Sequence, residues 1–166
     1  MKKVLALMLF SLIIGCKSNN KPVNINFVGD WVTQEGPYVI FKSNNEPARV
    51  TNINEAGRFE FGVNNDPKPL IGKYTISGDI AELTAQSIIL DDEATTILKF
   101  QNQTDSLKLV YIEIQAKQFS ILVDVKNNYA KTIRGDEIKE MKLTDPEAPS
   151  YLFIYYELTK LTFKKN

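Results

Sequence analysis

Histidine is missing from all 166 residues, and cysteine and tryptophan occur once each, as Cys16 and Trp31. Without histidine there is no Ser-His-Asp or Cys-His arrangement, and the commonest general base and commonest metal ligand are gone. A lone cysteine excludes an internal disulfide, so the folded part must hold by packing. Charge of one sign is also wanting, with 20 Lys and Arg against 20 Asp and Glu. Such a balance leaves no electrostatic footprint for nucleic acid. No apolar run approaches the roughly twenty residues a helix needs to cross a hydrocarbon core. Carboxylates are the remaining candidates for chemistry, in the groups Asp91, Asp92, Glu93 and Asp136, Glu137. Neither has the spacing of a calcium loop, and both read as hairpin tips, so the expectation is no enzyme, no metal and no cofactor.

What is present begins at the amino terminus. Lys2 and Lys3 precede the apolar or small run Val4 to Gly15, which contains Leu5, Leu7, Leu9, Phe10, Leu12, Ile13 and Ile14. That is the charged and apolar pattern of an export signal, too short to stay in a bilayer. The sequence Ile13, Ile14, Gly15, Cys16 resembles the lipobox of bacterial lipoproteins. The resemblance implies a signal peptide over 1–15 and diacylglyceryl and palmitate modification of Cys16. Each buried acyl methylene contributes about 0.8 kcal/mol, and two or more chains give a stable membrane anchor. Lys17 follows the cysteine where an aspartate often retains enterobacterial lipoproteins at the inner membrane, so the resemblance implies the cell outer membrane, facing the periplasm. The polar residues after Cys16 make 16–26 a lipidated tether; eight extended residues reach roughly 25 to 30 Å. Losing Lys2 and Lys3 would leave 18 basic against 20 acidic side chains, a formal balance of −2.

From Phe27 onward the pattern has period two, in short runs broken by Asn, Asp, Gly and Pro. Phe59, Phe61 and Val63 alternate with Arg58, Glu60 and Gly62; Tyr74 and Ile76 alternate with Lys73 and Thr75. Leu107, Leu109 and Tyr111 oppose Ser106 and Lys108, Phe119, Ile121 and Val123 oppose Ser120 and Asp124, and Leu161 and Phe163 oppose Lys160 and Thr162. About eight to ten half-buried strands are expected over 27–166, an all-β antiparallel sandwich or barrel in one domain. The apolar run Tyr151 to Tyr156 suits a strand covered on both sides or one presenting aromatics to a partner. Over 136–143 the pattern admits a short helix, since Ile138 and Met141 stand at helical spacing behind Asp136 as cap.

Phe27, Val28, Gly29, Asp30, Trp31 resembles the Gly-x-Trp of lipocalins and of lipocalin-like lipoproteins of the Bacteroidetes type. Gly72 to Gly78 and Tyr156 to Phe163 are similar to later strands of that group. The resemblance implies an up-and-down barrel whose end is closed by Gly29, Trp31 and a basic partner from a late strand, Lys160 or Lys164. A barrel of about eight strands is either filled by side chains or holds one small ligand. The aromatics expected to point inward, and to line any apolar site, are Phe41, Phe59, Phe61, Tyr74, Phe100, Tyr111, Phe119 and Phe153. The functional expectation is a membrane-anchored envelope lipoprotein binding a small apolar ligand. The alternative is a structural or protein-interaction lipoprotein with a packed interior, whose partner is an envelope protein.

Overall fold

The computed structural model describes residues 26–43, 57–63, 68–89 and 92–166. The leader, Cys16, the tether up to residue 25 and the turn residues Asn44, Asn45, Asn64 to Pro67 and Asp91 lie outside these. Eleven strands and one helix are described. In chain order they are β1 (Gly29–Val32), β2 (Tyr38–Ser43), β3 (Gly57–Gly62), β4 (Leu70–Ser77), β5 (Ile80–Ile89), β6 (Asp92–Gln103), β7 (Ser106–Ala116), β8 (Phe119–Asp124), β9 (Tyr129–Arg134) and β10 (Glu137–Met141), then α1 (Ser150–Lys160) and β11 (Phe163–Lys165).

Strands β1 to β7 form an antiparallel meander, and β11 closes it by pairing with both ends. On one side Trp31 lies opposite Lys165 and Val32 opposite Lys164; on the other, Phe163 faces Leu107 and Lys164 faces Ser106. The ring β1-β2-β3-β4-β5-β6-β7-β11 is a closed, eight-stranded up-and-down barrel, which leaves its members no free edge. The remaining strands, β8, β9 and β10, extend from the far half of β7 as a three-stranded flap.

One irregularity makes this branching work. Along the β6/β7 ladder Lys99 pairs with Tyr111 but Phe100 pairs with Leu109, so Val110 is an inserted residue. Before it β7 pairs with β11; after it β7 pairs with β8, and the Val110 carbonyl itself accepts the N–H of Val125. A bulge bends its strand and shifts the pleat by one residue. Leu107 and Leu109 therefore point inward before the bulge, and Ile112 and Ile114 after it. Tyr111, expected inward by simple alternation, is turned outward.

Two further expectations are corrected. Residues 137–141 form strand β10, not a helix: Gly135 at φ +58° makes a two-residue turn, and Ile138 pairs across the ladder with Ile133. The helix lies instead over Ser150–Lys160, in the run expected to be a strand. Six bulky residues in succession suit neither a half-buried strand nor open solvent. As a helix they divide, with Leu152, Tyr155 and Leu158 on the barrel side and Phe153 and Ile154 outside. Tertiary burial thus overrides the strand preference of Tyr, Phe and Ile. Leu158 accepts the closing hydrogen bond from Leu161 N–H, after which the chain is extended again and enters β11.

Candidate functional site

The barrel has two unlike ends. At the closed end Trp31 is buried, and its indole N–H donates to the Phe27 carbonyl at 2.8 Å, seating the segment before β1 across the opening. Phe27, Phe41, Tyr74, Phe100 and Phe163 form a continuous aromatic cluster, with centroids 5.7 Å apart for Phe27 and Phe41, 5.0 Å for Phe41 and Tyr74, and 5.2 Å for Phe100 and Phe163. Most of these pairs meet edge to face, the preferred arrangement of aromatic quadrupoles. This half of the interior is solid.

Over Trp31 stands Lys165, with Nζ 5.5 Å from the ring. The basic partner of the tryptophan is therefore neither of the two lysines expected from the resemblance. Lys164 lies next in the strand with its exposed side chain, and Lys160 ends α1, where it pairs with Glu157 at 2.6 Å and lies over the Tyr156 ring at 4.4 Å. Gly29 has a φ of +133°, and a Cβ there would fall 2.8 Å from Lys165 Cε.

At the other end, α1 lies across the mouth. The Tyr151 hydroxyl donates to Thr132 Oγ1 of β9 at 3.3 Å, and Lys108 of β7 donates to the Lys160 carbonyl at 2.9 Å. The second contact places a cation on an unpaired carbonyl at the helix carboxyl end, where the dipole favours it. Beneath the helix is a cavity of about 430 Å³, bounded below by Leu98, Leu109, Ile112 and Ile114 and above by Tyr155 and Leu158. Burial raises the Tyr155 phenol above its ordinary pKa, as expected of a hydroxyl held against an apolar wall. The volume lies in the range of small-molecule sites, and the walls are of the usual composition, apolar with few polar groups.

The eight aromatics expected to line a site separate into three groups. Phe41, Phe59, Phe61, Tyr74 and Phe100 are buried inside the barrel. Of these, Phe61 also borders the cavity, while the others fill the solid half. Tyr111 faces outward, where it donates to Glu113 at 2.6 Å and receives Lys99 Nζ 4.9 Å above its ring; burial and the carboxylate together push its pKa well up. Phe119, on the flap, packs against the core from its margin, and Phe153 stands 56 % exposed on the outer face of α1. The cavity-wall residues that the sequence pattern did not reveal are mostly aliphatic, with Tyr155 among them. Ile112 and Ile114 were hidden by the bulge, and Tyr155 and Leu158 by the misread helix. Among the described residues no three His, Cys, Asp or Glu side chains gather as a metal site would require.

The arrangement defines a class: a closed eight-stranded antiparallel barrel with one carboxyl-terminal helix, consistent with a lipocalin-like fold. Compared with protein-family models, with curated proteins and with solved structures, the chain matches none.

Proposed function

We propose that the chain is a lipid-anchored envelope protein whose barrel holds a small apolar molecule in the cavity beneath α1. The observation that carries the binding role is that cavity: a recess in the barrel interior, lined mainly by aliphatic and aromatic side chains, with α1 forming one of its walls. A mainly apolar recess of this kind gains by giving up its water to an apolar guest. The anchor rests on the leader and Cys16, and the outer membrane facing the periplasm on Lys17. A non-catalytic role fits the absence of histidine from the chain.

The test is binding of the apolar fluorophore N-phenyl-1-naphthylamine to the purified full chain. Leu158→Trp, which fills the cavity from the helix side at a partly buried position, serves as control. Saturable binding by the parent and its loss in the variant are expected; no saturable binding by the parent would remove the reading. A second reading, a structural or protein-interaction lipoprotein, is favoured by one observation: Phe153 and Ile154 leave 56 % and 67 % of their surface exposed on α1. That reading requires a protein recovered with the chain by crosslinking in the envelope, and no saturable fluorophore binding.

A further inference from the structure

The exposed apolar side chains of the barrel are sorted to one end. Among the described residues, those more than half exposed are Ile71, Ile88, Ile138, Phe153 and Ile154. All five lie in the mouth half. Ile71 and Ile88 stand one residue in from the mouth on β4 and β5, Ile138 is on the flap that leaves the mouth half of β7, and Phe153 and Ile154 are on α1. The closed end exposes Asp79, Gln103, Thr104, Asp105, Lys165 and Asn166 instead, and its two partly exposed aliphatics, Val28 and Ile76, are less than half exposed. Apolar surface gathered in this way marks a contact with a protein or with a membrane.

Two observations choose the membrane. The first is that the rim continues the cavity wall. Val63, Tyr151 and Ile154 border the cavity and are themselves exposed, so apolar surface runs from the buried Leu109 and Ile112 out past the mouth. A protein or second copy seated there would plug the opening, whereas a bilayer would meet it with an apolar phase from which a guest can pass. The rim segment of α1 suits that setting, since Ser150 to Tyr156 carries no charge and its tyrosines join an apolar ring to a polar tip. The second observation is length. The 12 residues of β6 run from mouth to closed end, about 36 Å along the strand and about 26–30 Å of height in a barrel of ordinary tilt. Ten peptide steps separate Cys16 from Asn26, which leads into the closed end, and they reach at most about 33–36 Å. An acylated Cys16 can therefore lie in the plane of the mouth.

Resting on the anchor and the cavity proposed above, we infer that the mouth end, with Phe153 and Ile154 foremost, lies on the lipid bilayer that holds the anchor, so that the cavity opens onto the membrane. The exposed charged residues of this end, Lys68, Glu93, Lys117 and Arg134 among them, are of both signs, which suits zwitterionic head groups better than a strongly charged partner.

The test reads which end meets lipid, using the lipidated chain in phosphatidylethanolamine–phosphatidylcholine vesicles with and without bromine on the acyl chains, where bromine quenches tryptophan on contact. Trp31, the single tryptophan, is buried at the closed end. Phe153→Trp adds a second at an exposed aromatic position, and Ile154→Trp repeats the reading one residue on. Bromine is expected to change the parent emission by less than a tenth and to lower that of each variant by at least a third, with the added tryptophan shielded from aqueous acrylamide. An added tryptophan open to acrylamide and untouched by bromine would leave α1 in water. One shielded from both would place a second copy on it, and quenching of the parent would put the closed end on the bilayer. Any of these three results overturns the inference and leaves the cavity reading, which fluorophore binding decides separately. A chain that carries no acyl group and does not stay with the vesicles would instead remove the anchor reading and the inference with it.

Discussion

Lys165 lies over Trp31 because Gly29 leaves the space its stem passes through. The three residues form one set of contacts, and the substitutions should rank by mechanism. Gly29→Ala puts a methyl group 2.8 Å from Lys165 Cε at a φ of +133°, which an L side chain rarely adopts. A loss of about 1–3 kcal/mol is expected. Lys165→Ala removes a half-solvated cation–π contact and should cost about 0.5–1 kcal/mol. Urea unfolding followed by the fluorescence of Trp31, the single tryptophan, checks both; equal costs for the two substitutions would contradict the ranking.

The closed end was legible in the sequence because its signals are local. Gly29 and Trp31 sit two apart in one strand, and Phe59 and Phe61 alternate cleanly with charged neighbours. The open end was not, for two physical reasons. A bulge leaves no mark in composition: Val110 is an ordinary strand residue, and only the pairing partner on either side shows that it is extra. The helix was hidden because Tyr151 to Tyr156 has strand-forming residues at every position, and its conformation is decided by a barrel mouth built from residues some fifty positions earlier. Lys160 was misplaced for the same reason, since a helix there carries it away from the ladder that holds Lys165.

The seat of α1 depends on one side chain more than the rest. Leu152 is 3 % exposed between the helix and the barrel, whereas Ile154 is 67 % exposed one turn face away. Leu152→Ala should cost about 2–5 kcal/mol, the range for a buried leucine, and Ile154→Ala less than about 0.5 kcal/mol. If α1 covers the cavity, Leu152→Ala should also increase binding of a dye that reports exposed apolar surface, with the barrel's strand signature in circular dichroism retained. Equal stability losses at the two positions would show that the helix is seated by its other face.

The anchor makes a prediction independent of the barrel. Cys16 is the single thiol, so Cys16→Ser removes the one acylation site without touching the described fold. In a bacterial host supplied with labelled palmitate, the parent chain is expected to take up label and to partition with membranes. The variant should carry no label and, because two or more acyl chains are what give stable attachment, should leave the membrane fraction. Label retained by the variant, or an unlabelled parent, would contradict the lipobox reading.

Alkaline pH should expose the apolar setting of the buried tyrosines. Burial raises the pKa of Tyr155 and of Tyr74 above the ordinary 10.0. Below pH 10 the folded and unfolded chains both keep these protons, and the fold has its full stability. Above it the unfolded chain releases them while the folded chain holds them, so the unfolded state binds fewer protons and stability falls as pH rises. The urea midpoint should therefore drop between pH 9 and pH 11, and Tyr155→Phe should shrink the drop, since phenylalanine keeps the ring and cannot ionise. Tyr74→Phe should shrink it as well, from inside the aromatic cluster rather than from the cavity roof. Lysines also titrate in this range, and Lys131, Lys139 and Lys160 have pKa values raised by their pairing with Glu140, Glu137 and Glu157. These pairs too lose their contribution only at high pH, but their side chains are solvated, and screened surface pairs contribute little. Added salt separates the two sources, weakening the lysine part and leaving the tyrosine part. A midpoint whose alkaline drop is unchanged in the Tyr155→Phe, Tyr74→Phe double variant would show that these hydroxyls reach solvent.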